Sequence, residues 1–154
     1  MPSTLDLYTK LTALPQGRRL FSIAFGQKAP YFASIHPRVQ EMRPHFGQVL
    51  IPKRRSVQNH IGTVHAIAAC NGLEAAMGLL AEATCPPGMR WLPKGMEVQY
   101  LAKSTTSLTC TAVSTEADWA SAPDVPITVQ AVTHDGTVTV AGTIHLWVTP
   151  KTQA

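Results

Sequence analysis

Glu74 is the only charged residue between Arg55 and Glu82, and it lies in the most apolar stretch of the chain. Burying an unpaired carboxylate costs several kcal/mol when the group stays ionised. On a helix, the residues one turn away from it would be Cys70, Asn71, Met77 and Gly78. None of them can form an ion pair with a carboxylate. The pattern therefore favours a general base or nucleophile at Glu74 over a water-facing residue of an amphipathic helix.

A polar cluster at residues 59–66 precedes the same apolar stretch. Asn59 or Thr63 could cap a helix that begins here, and the unpaired N–H groups of its first turn suit a carbonyl oxygen that gains negative charge. His65 lies nine residues before Glu74, which at about 100° per residue puts the two side chains on opposite sides of one helix. A symmetric dimer could instead bring the helix start of one subunit to Glu74 of the other. Taken alone, His65 is better explained as a packed, hydrogen-bonded histidine.

These residues match the spacing of a known family. The family pattern is an Asn, a Gly three residues on, then His-Gly-Gly, with an acidic residue nine positions after the His; Asn59, Gly62, His65 and Glu74 fall at those offsets. Residues 98–101 (Val-Gln-Tyr-Leu) are similar to the strand that follows the central helix there. The chain therefore resembles the hotdog-fold thioesterase superfamily, especially its phenylacetate-pathway-like acyl-CoA thioesterase branch.

The resemblance implies a site made of Glu74, Asn59, His65, Ala66 and Gly62. Glu74 would be the base or the nucleophile, Asn59 would orient water or the carboxylate, and the Ala66 amide would donate to the oxyanion. Where the family has Gly-Gly, this chain has Ala66-Ile67. An alanine amide donates as a glycine amide does, whereas Ile67 would narrow the acyl channel or shift the helix start.

The resemblance spans about residues 45–149 and implies no cofactor and a homo-oligomer, a dimer or a tetramer. Lys53, Arg54 and Arg55 then become candidates for the phosphates of coenzyme A, because they form the densest basic cluster of the chain. No metal site is expected, because the histidines and cysteines lack ligand spacing.

The predicted fold class is α+β, with a curved antiparallel sheet wrapped around one long central helix at about 63–83. We expect a single domain at 1–154, with a short helix at 4–15 and its core at about 20–149. The alternation of residues 21–25 favours a strand. The other predicted strands are 48–51, 96–101, 108–114, 127–133 and 137–149, the last two joined at an Asp135-Gly136 turn.

Size, charge and cysteine usage exclude several classes of protein. The 154 residues suit one domain, and the 14% of charged residues is low, as expected where subunits cover one another. No window approaches 18 uninterrupted apolar residues, so we expect no membrane association. Three cysteines without a CxxC pair and an N-terminus unlike a signal peptide favour the cytoplasm.

Charge is unevenly divided along the chain. Residues 1–55 hold nine basic and two acidic side chains, although the net charge of the whole chain is only +4. No aromatic residue is interleaved with the basic cluster, so nucleic-acid binding is not expected.

Two other functions remain open beside a thioester hydrolase. A non-catalytic acyl-CoA binding or sensing module would keep the fold and lose turnover, and Ala66-Ile67 favours it. A hotdog dehydratase or hydratase acting on an acyl thioester would need His65 and a carboxylate to meet across subunits. The sequence has neither a GxSxG elbow nor a phosphate loop, which disfavours a serine hydrolase or a nucleotide hydrolase.

Overall fold

Six antiparallel strands form one sheet in the order β1-β2-β4-β5-β6-β3, and a computed structural model describes residues 2–152 of the chain. The strands are β1 (Arg38–Arg43), β2 (Phe46–Ile51), β3 (Met89–Tyr100), β4 (Leu108–Val113), β5 (Asp124–Val132) and β6 (Val138–Pro150). The helices are α1 (Thr4–Thr12), α2 (Gly17–Lys28), α3 (Pro30–Ala33), α4 (Ala66–Thr84) and α5 (Glu116–Ala120), with a 3₁₀ turn, η1, at Arg55–Val57.

Helix α4 packs against the sheet, mainly on β2 and β4, and its small residues let the two backbones approach closely. A Cβ at Gly47 of β2 would overlap the carbonyl oxygen of Ala76, and a Cβ at Gly72 would overlap the Ile51 side chain. Leu73, Leu79 and Leu80 are fully buried in the core between helix and sheet. The predicted sheet around one long helix is confirmed, with the helix beginning at Ala66 rather than near 63.

The predicted hairpin between the last two strands is confirmed. Strands β5 and β6 pair over most of their length, and Asp135 closes the turn by accepting hydrogen bonds from Thr133 Oγ1 and from the Thr137 amide. Gly136 takes φ +89°, a conformation that glycine adopts without steric cost. These local contacts explain why the Asp-Gly pair predicted the hairpin from sequence.

The strand predicted at 21–25 is wrong, because these residues lie in α2 (Gly17–Lys28). Phe21 and Phe25 are four residues apart, which places both on the same face of a helix. Phe21 is buried against Tyr8 of α1, and Phe25 stacks on Phe32 of α3. The first helix is also shorter than predicted and ends at Thr12.

Strand β3 begins at Met89, seven residues before the predicted start, and continues through Pro93. It tolerates a proline because it is an edge strand, paired only with β6, and it has an irregularity between Pro93 and Gly95. The structure also adds α5, which the sequence analysis did not predict. Its Thr115–Asp118 capping box fixes the short helix between β4 and β5.

Helix α4 alone among the described residues is long and apolar enough to cross a membrane. Most of its hydrophobic window is buried inside the protein, against the sheet. Its composition is therefore explained as that of a core helix.

Candidate active site

The loop before α4 is organised by Asn59. The Asn59 backbone N–H donates to the Thr63 carbonyl at 2.9 Å, and its side-chain Oδ1 accepts from the Ile61 and Thr63 amides at 3.2 and 3.1 Å. Its Nδ2 donates to Thr63 Oγ1 at 2.8 Å. Gly62 completes the turn at φ +78°, and its N–H donates to the Asn59 carbonyl. Most of the hydrogen-bonding capacity of Asn59 therefore shapes the loop.

The start of α4 is fixed by His65, which is its N-cap residue. The His65 Nδ1 accepts from the Ile67 amide at 3.0 Å, and the His65 backbone N–H donates to the Val57 carbonyl at 2.8 Å. The expectation that Asn59 or Thr63 caps the helix is wrong, because these side chains bond to each other inside the loop. His65 is thus a structural cap on the exposed end of the helix.

The backbone N–H of Ala66 has no acceptor among residues 2–152, because the His65 side chain caps Ile67 instead. It is a first-turn donor at the positive end of a 19-residue helix. Ala66 lines a cavity of about 360 Å³, together with Asn59, Ile61, Tyr100 and Leu101. A free donor on a residue that lines a cavity is suited to bind a carbonyl oxygen.

The far wall of this cavity comes from the end of β3, the segment after it, and β6. Its residues there are Tyr100, Leu101, Ala102, Lys103, Ser104, Thr139 and Val140. Ser104 is buried, and its carbonyl accepts from the Val64 amide at 2.9 Å, which joins this wall to the loop. Only residues 98–101 gave a signal in the sequence for this wall, because a wall made by chain segments remote in sequence has no local pattern.

Glu74 lies half-buried on α4, eight residues beyond Ala66. At 1.5 Å per residue, this separates the two backbones by about 12 Å along the helix. Glu74 does not line the cavity beside Ala66, and no described residue forms an ion pair with it. A single chain therefore brings together Asn59, Gly62, His65 and Ala66, and leaves Glu74 apart from them.

Cys70 lies one turn before Glu74 and contacts the Tyr100 side chain. Burial raises the pKa of the Cys70 thiol, and a hydrogen bond with Tyr100 offsets this in part. The pKa of Tyr100 is raised as well, chiefly by the neighbouring Cys70. The thiol therefore stays protonated at neutral pH, which makes Cys70 a poor nucleophile.

The basic cluster at 53–55 does not act as one patch. The Lys53 Nζ donates to the Thr105 carbonyl at 2.9 Å, which anchors the cluster to the loop before β4. Arg54 lines a separate groove beside α2 and β1, and Arg55 begins the η1 turn. The histidines and cysteines form no metal-binding group within the part of the chain that the structure describes.

Comparison with known proteins identifies the family. A model of a domain of unknown function, DUF4442, matches residues 17–148. The chain belongs to the DUF4442 family. No curated protein matches it.

Solved structures share the fold of this DUF4442 domain. The structural-genomics protein APC5556 is 39% identical, with a TM-score of 0.85 over 96% of this chain and 99% of its own. PA5026 from Pseudomonas aeruginosa, described as a probable thioesterase, is 16% identical, with a TM-score of 0.74 over 90% and 97% of the two chains. A thioesterase family protein from Silicibacter pomeroyi is 17% identical, with a TM-score of 0.72 over 84% and 96%. The predicted hotdog fold is thus confirmed.

Proposed function

We propose that this protein hydrolyses an acyl thioester, with coenzyme A as the thiol carrier, to a free acid and a thiol. The observation that carries the proposal is the Ala66 N–H, which has no acceptor among the described residues and belongs to a residue that lines a cavity at the N-terminus of α4. Fold neighbours described as thioesterases support the same chemistry. The acyl carbonyl oxygen would accept from Ala66, and the positive end of the helix would stabilise the oxyanion.

Glu74 supplies the second group, from the opposite subunit of a dimer. As a base, it takes a proton from water while the water oxygen bonds to the carbonyl carbon; the C–S bond then breaks and the thiolate takes up the proton. As a nucleophile, it displaces the thiolate to form a mixed anhydride, which water cleaves to the acid. Both routes use the same two groups, the Ala66 amide and the Glu74 carboxylate.

A dimer is supported by one of the two edges of the sheet, the edge formed by β3. Strand β3 is 12 residues long, pairs with β6 on one side only, and exposes Leu92 and Tyr100. A long edge strand that pairs on one side only is a template for pairing with another strand. A second copy that pairs edge to edge would cover it and carry its own Glu74 towards the first copy.

The position of Ile67 favours a hydrolase over a non-catalytic acyl-CoA binding module. Ile67 stands where the family pattern has glycine, and its side chain is 56% exposed. It does not line the cavity at Ala66. It therefore leaves the oxyanion donor accessible from within its own chain, so the loss of glycine alone does not argue for a loss of turnover.

Thiol release from short, medium, long and aryl acyl-CoAs tests the proposal. We expect wild-type turnover that falls at least about 100-fold in Glu74→Gln, because the amide can neither accept the proton nor attack. The matched control is Glu82→Gln, on the same helix, where the carboxylate accepts from Thr4 and Trp91 and touches no part of the cavity. If the wild type binds acyl-CoA and releases no thiol from any of these substrates, the protein is a non-catalytic binding module. A change in enoyl absorbance without thiol release would indicate a hydratase.

A further inference from the structure

The basic excess of the first 55 residues converges on one place in the fold. Arg43 pairs with Glu41 at 2.6 Å. By contrast, Arg18 and Arg19 of α2, Arg38 of β1 and Arg54 before η1 all line the same groove. These four arginines define what we call the arginine groove. Four of the basic residues in the first 55 positions therefore lie close together in the folded protein.

The arginine groove has the size and lining of a small-molecule site. Its volume is about 790 Å³, within the range of roughly 300–1,000 Å³ that ligand pockets occupy. Ile23 and Val39 contribute apolar side chains to its lining, and His36 adds an imidazole. It lies between α2 and β1, away from the cavity beside Ala66.

Nothing acidic offsets this charge. No acidic side chain lines the groove, and none of its four arginines pairs with an acid anywhere in residues 2–152. Arg18 and Arg19 also lie in the first turn of α2, where a positive side chain opposes the helix dipole. Four arginines that line one groove without an acidic partner form a site that an anion would stabilise.

The groove is also held in shape before any ligand arrives. The Ser22 hydroxyl donates to the Arg18 carbonyl at 2.8 Å and accepts from the Val39 amide at 2.9 Å. This hydroxyl ties α2 to β1 at the centre of the groove. The backbones that carry the arginines of the helix and of the strand are therefore held together, which lowers the entropy cost of binding.

We propose that the arginine groove binds the phosphate groups of coenzyme A at the nucleotide end of the substrate. The identity of this ligand rests on the proposed function. Guanidinium groups bind phosphate oxygens in pairs of parallel hydrogen bonds, and several phosphates on one ligand can engage several arginines. Arg54 precedes η1, and the Val57 carbonyl at the end of η1 accepts from the His65 amide, so a short chain segment joins the groove to the start of α4.

A small phosphorylated ligand fits better than an acidic carrier protein, because the arginines surround a concave space rather than a flat surface. The assignment also revises the basic cluster predicted from sequence. Arg54 belongs to the proposed phosphate site, whereas Lys53 is anchored to the Thr105 carbonyl.

Calorimetric titration with coenzyme A, dephospho-coenzyme A and pantetheine tests the proposal. We expect affinity to fall along that series in the wild type, and the Arg38→Ala/Arg54→Ala variant to bind coenzyme A at least tenfold more weakly. The control is Lys10→Ala/Arg43→Ala, which removes the same charge outside the groove, with Arg43 at the other end of β1. It should stay within twofold of wild type, and thermal unfolding confirms that both variants are folded.

The proposal would be overturned if coenzyme A binding weakened equally in the two variants, or if it weakened in neither. So would inorganic phosphate or an acidic carrier protein binding in the groove as tightly as coenzyme A. Thiol release separates this proposal from the proposed function. Groove-dependent binding of coenzyme A without thiol release would refute hydrolysis and support the groove. Turnover of acyl-CoA with the same KM in both variants would support hydrolysis and refute the groove.

Discussion

Asn59 and Thr63 are joined by three hydrogen bonds, two through the Asn59 side chain and one between their backbones. These bonds close a loop at Thr63, three residues before α4 begins at Ala66. Ala66 lines its cavity at the first position of α4, directly after His65 as the cap. The candidate oxyanion donor is thus held by polar contacts that lie outside the helix itself.

Asn59→Ala should lower both stability and turnover. It leaves the amides of Ile61 and Thr63 without their acceptor, which costs about 1–3 kcal/mol where such groups are shielded from water. Urea unfolding measures this cost, and thiol release should fall at least about tenfold in kcat as the helix start loosens. His60→Ala is the control, since His60 is exposed in the same loop; it should stay within about 0.5 kcal/mol of wild type. Full activity in Asn59→Ala would show that the loop does not position the site.

His65 should behave as a cap that another good cap residue can replace. His65→Ala is expected to lose about 0.5–2 kcal/mol of stability, because the Ile67 amide loses its acceptor. His65→Asn should recover most of this, since asparagine is among the best N-cap residues. Urea unfolding and kcat are measured on both variants. An Asn variant that regains stability and remains inactive would give His65 a chemical role as well.

Replacing glycine by alanine should change stability in opposite directions at two positions, one in the sheet and one in α4. Gly47→Ala would drive a Cβ into the Ala76 carbonyl, a backbone atom that cannot move aside, and should cost about 3 kcal/mol or more. Gly78→Ala meets only the Trp91 ring at 3.7 Å and removes the helix penalty of glycine, so it should gain up to about 1 kcal/mol. Urea unfolding of the two variants measures both changes. A neutral Gly47→Ala would mean that the helix does not sit this close to β2.

Most of the fold could be predicted from patterns within short stretches of the sequence. The long helix was predictable because an unbroken apolar stretch ended by prolines has few alternatives, and the final hairpin because an Asp-Gly pair specifies its own turn. Helix α2 was missed because Phe21 and Phe25 fit both an alternating strand and one face of a helix. The helix is favoured over the strand by Tyr8 and Phe32, which pack against these two rings from other elements.

The candidate site likewise has parts that could be predicted from the sequence and parts that could not. The spacing of Asn59, Gly62 and His65 identified the loop, because its turn is closed by contacts within a few residues. The identity of the cap was not predictable, since the helix start depends on His65 and Val64 bonding to the remote Val57 and Ser104 carbonyls. The arginine groove was equally hidden, because α2 and β1 must pack together before its arginines share one space.

A pair of inactive variants should restore activity when mixed, if each site combines Ala66 of one chain with Glu74 of the other. Ala66→Pro removes the backbone N–H at a helix position that tolerates proline, and His65 already has the extended backbone, φ −60° and ψ 137°, that precedes proline well. Loss of this donor should lower kcat about 10²–10³-fold without unfolding α4. Glu74→Gln removes the other group.

In a heterodimer of these two variants, one site lacks both groups and the other retains both. Random exchange of subunits makes about half of the dimers mixed, each with one intact site, so thiol release should return to about one quarter of the wild-type rate. The measurement is kcat of an equimolar mixture that has been unfolded and refolded together, compared with the two variants refolded apart. Circular dichroism confirms that α4 persists in Ala66→Pro. Because α4 separates Ala66 from Glu74 by about 12 Å along its axis, a refolded mixture no more active than its components would require a site within one chain, reached by a different carboxylate.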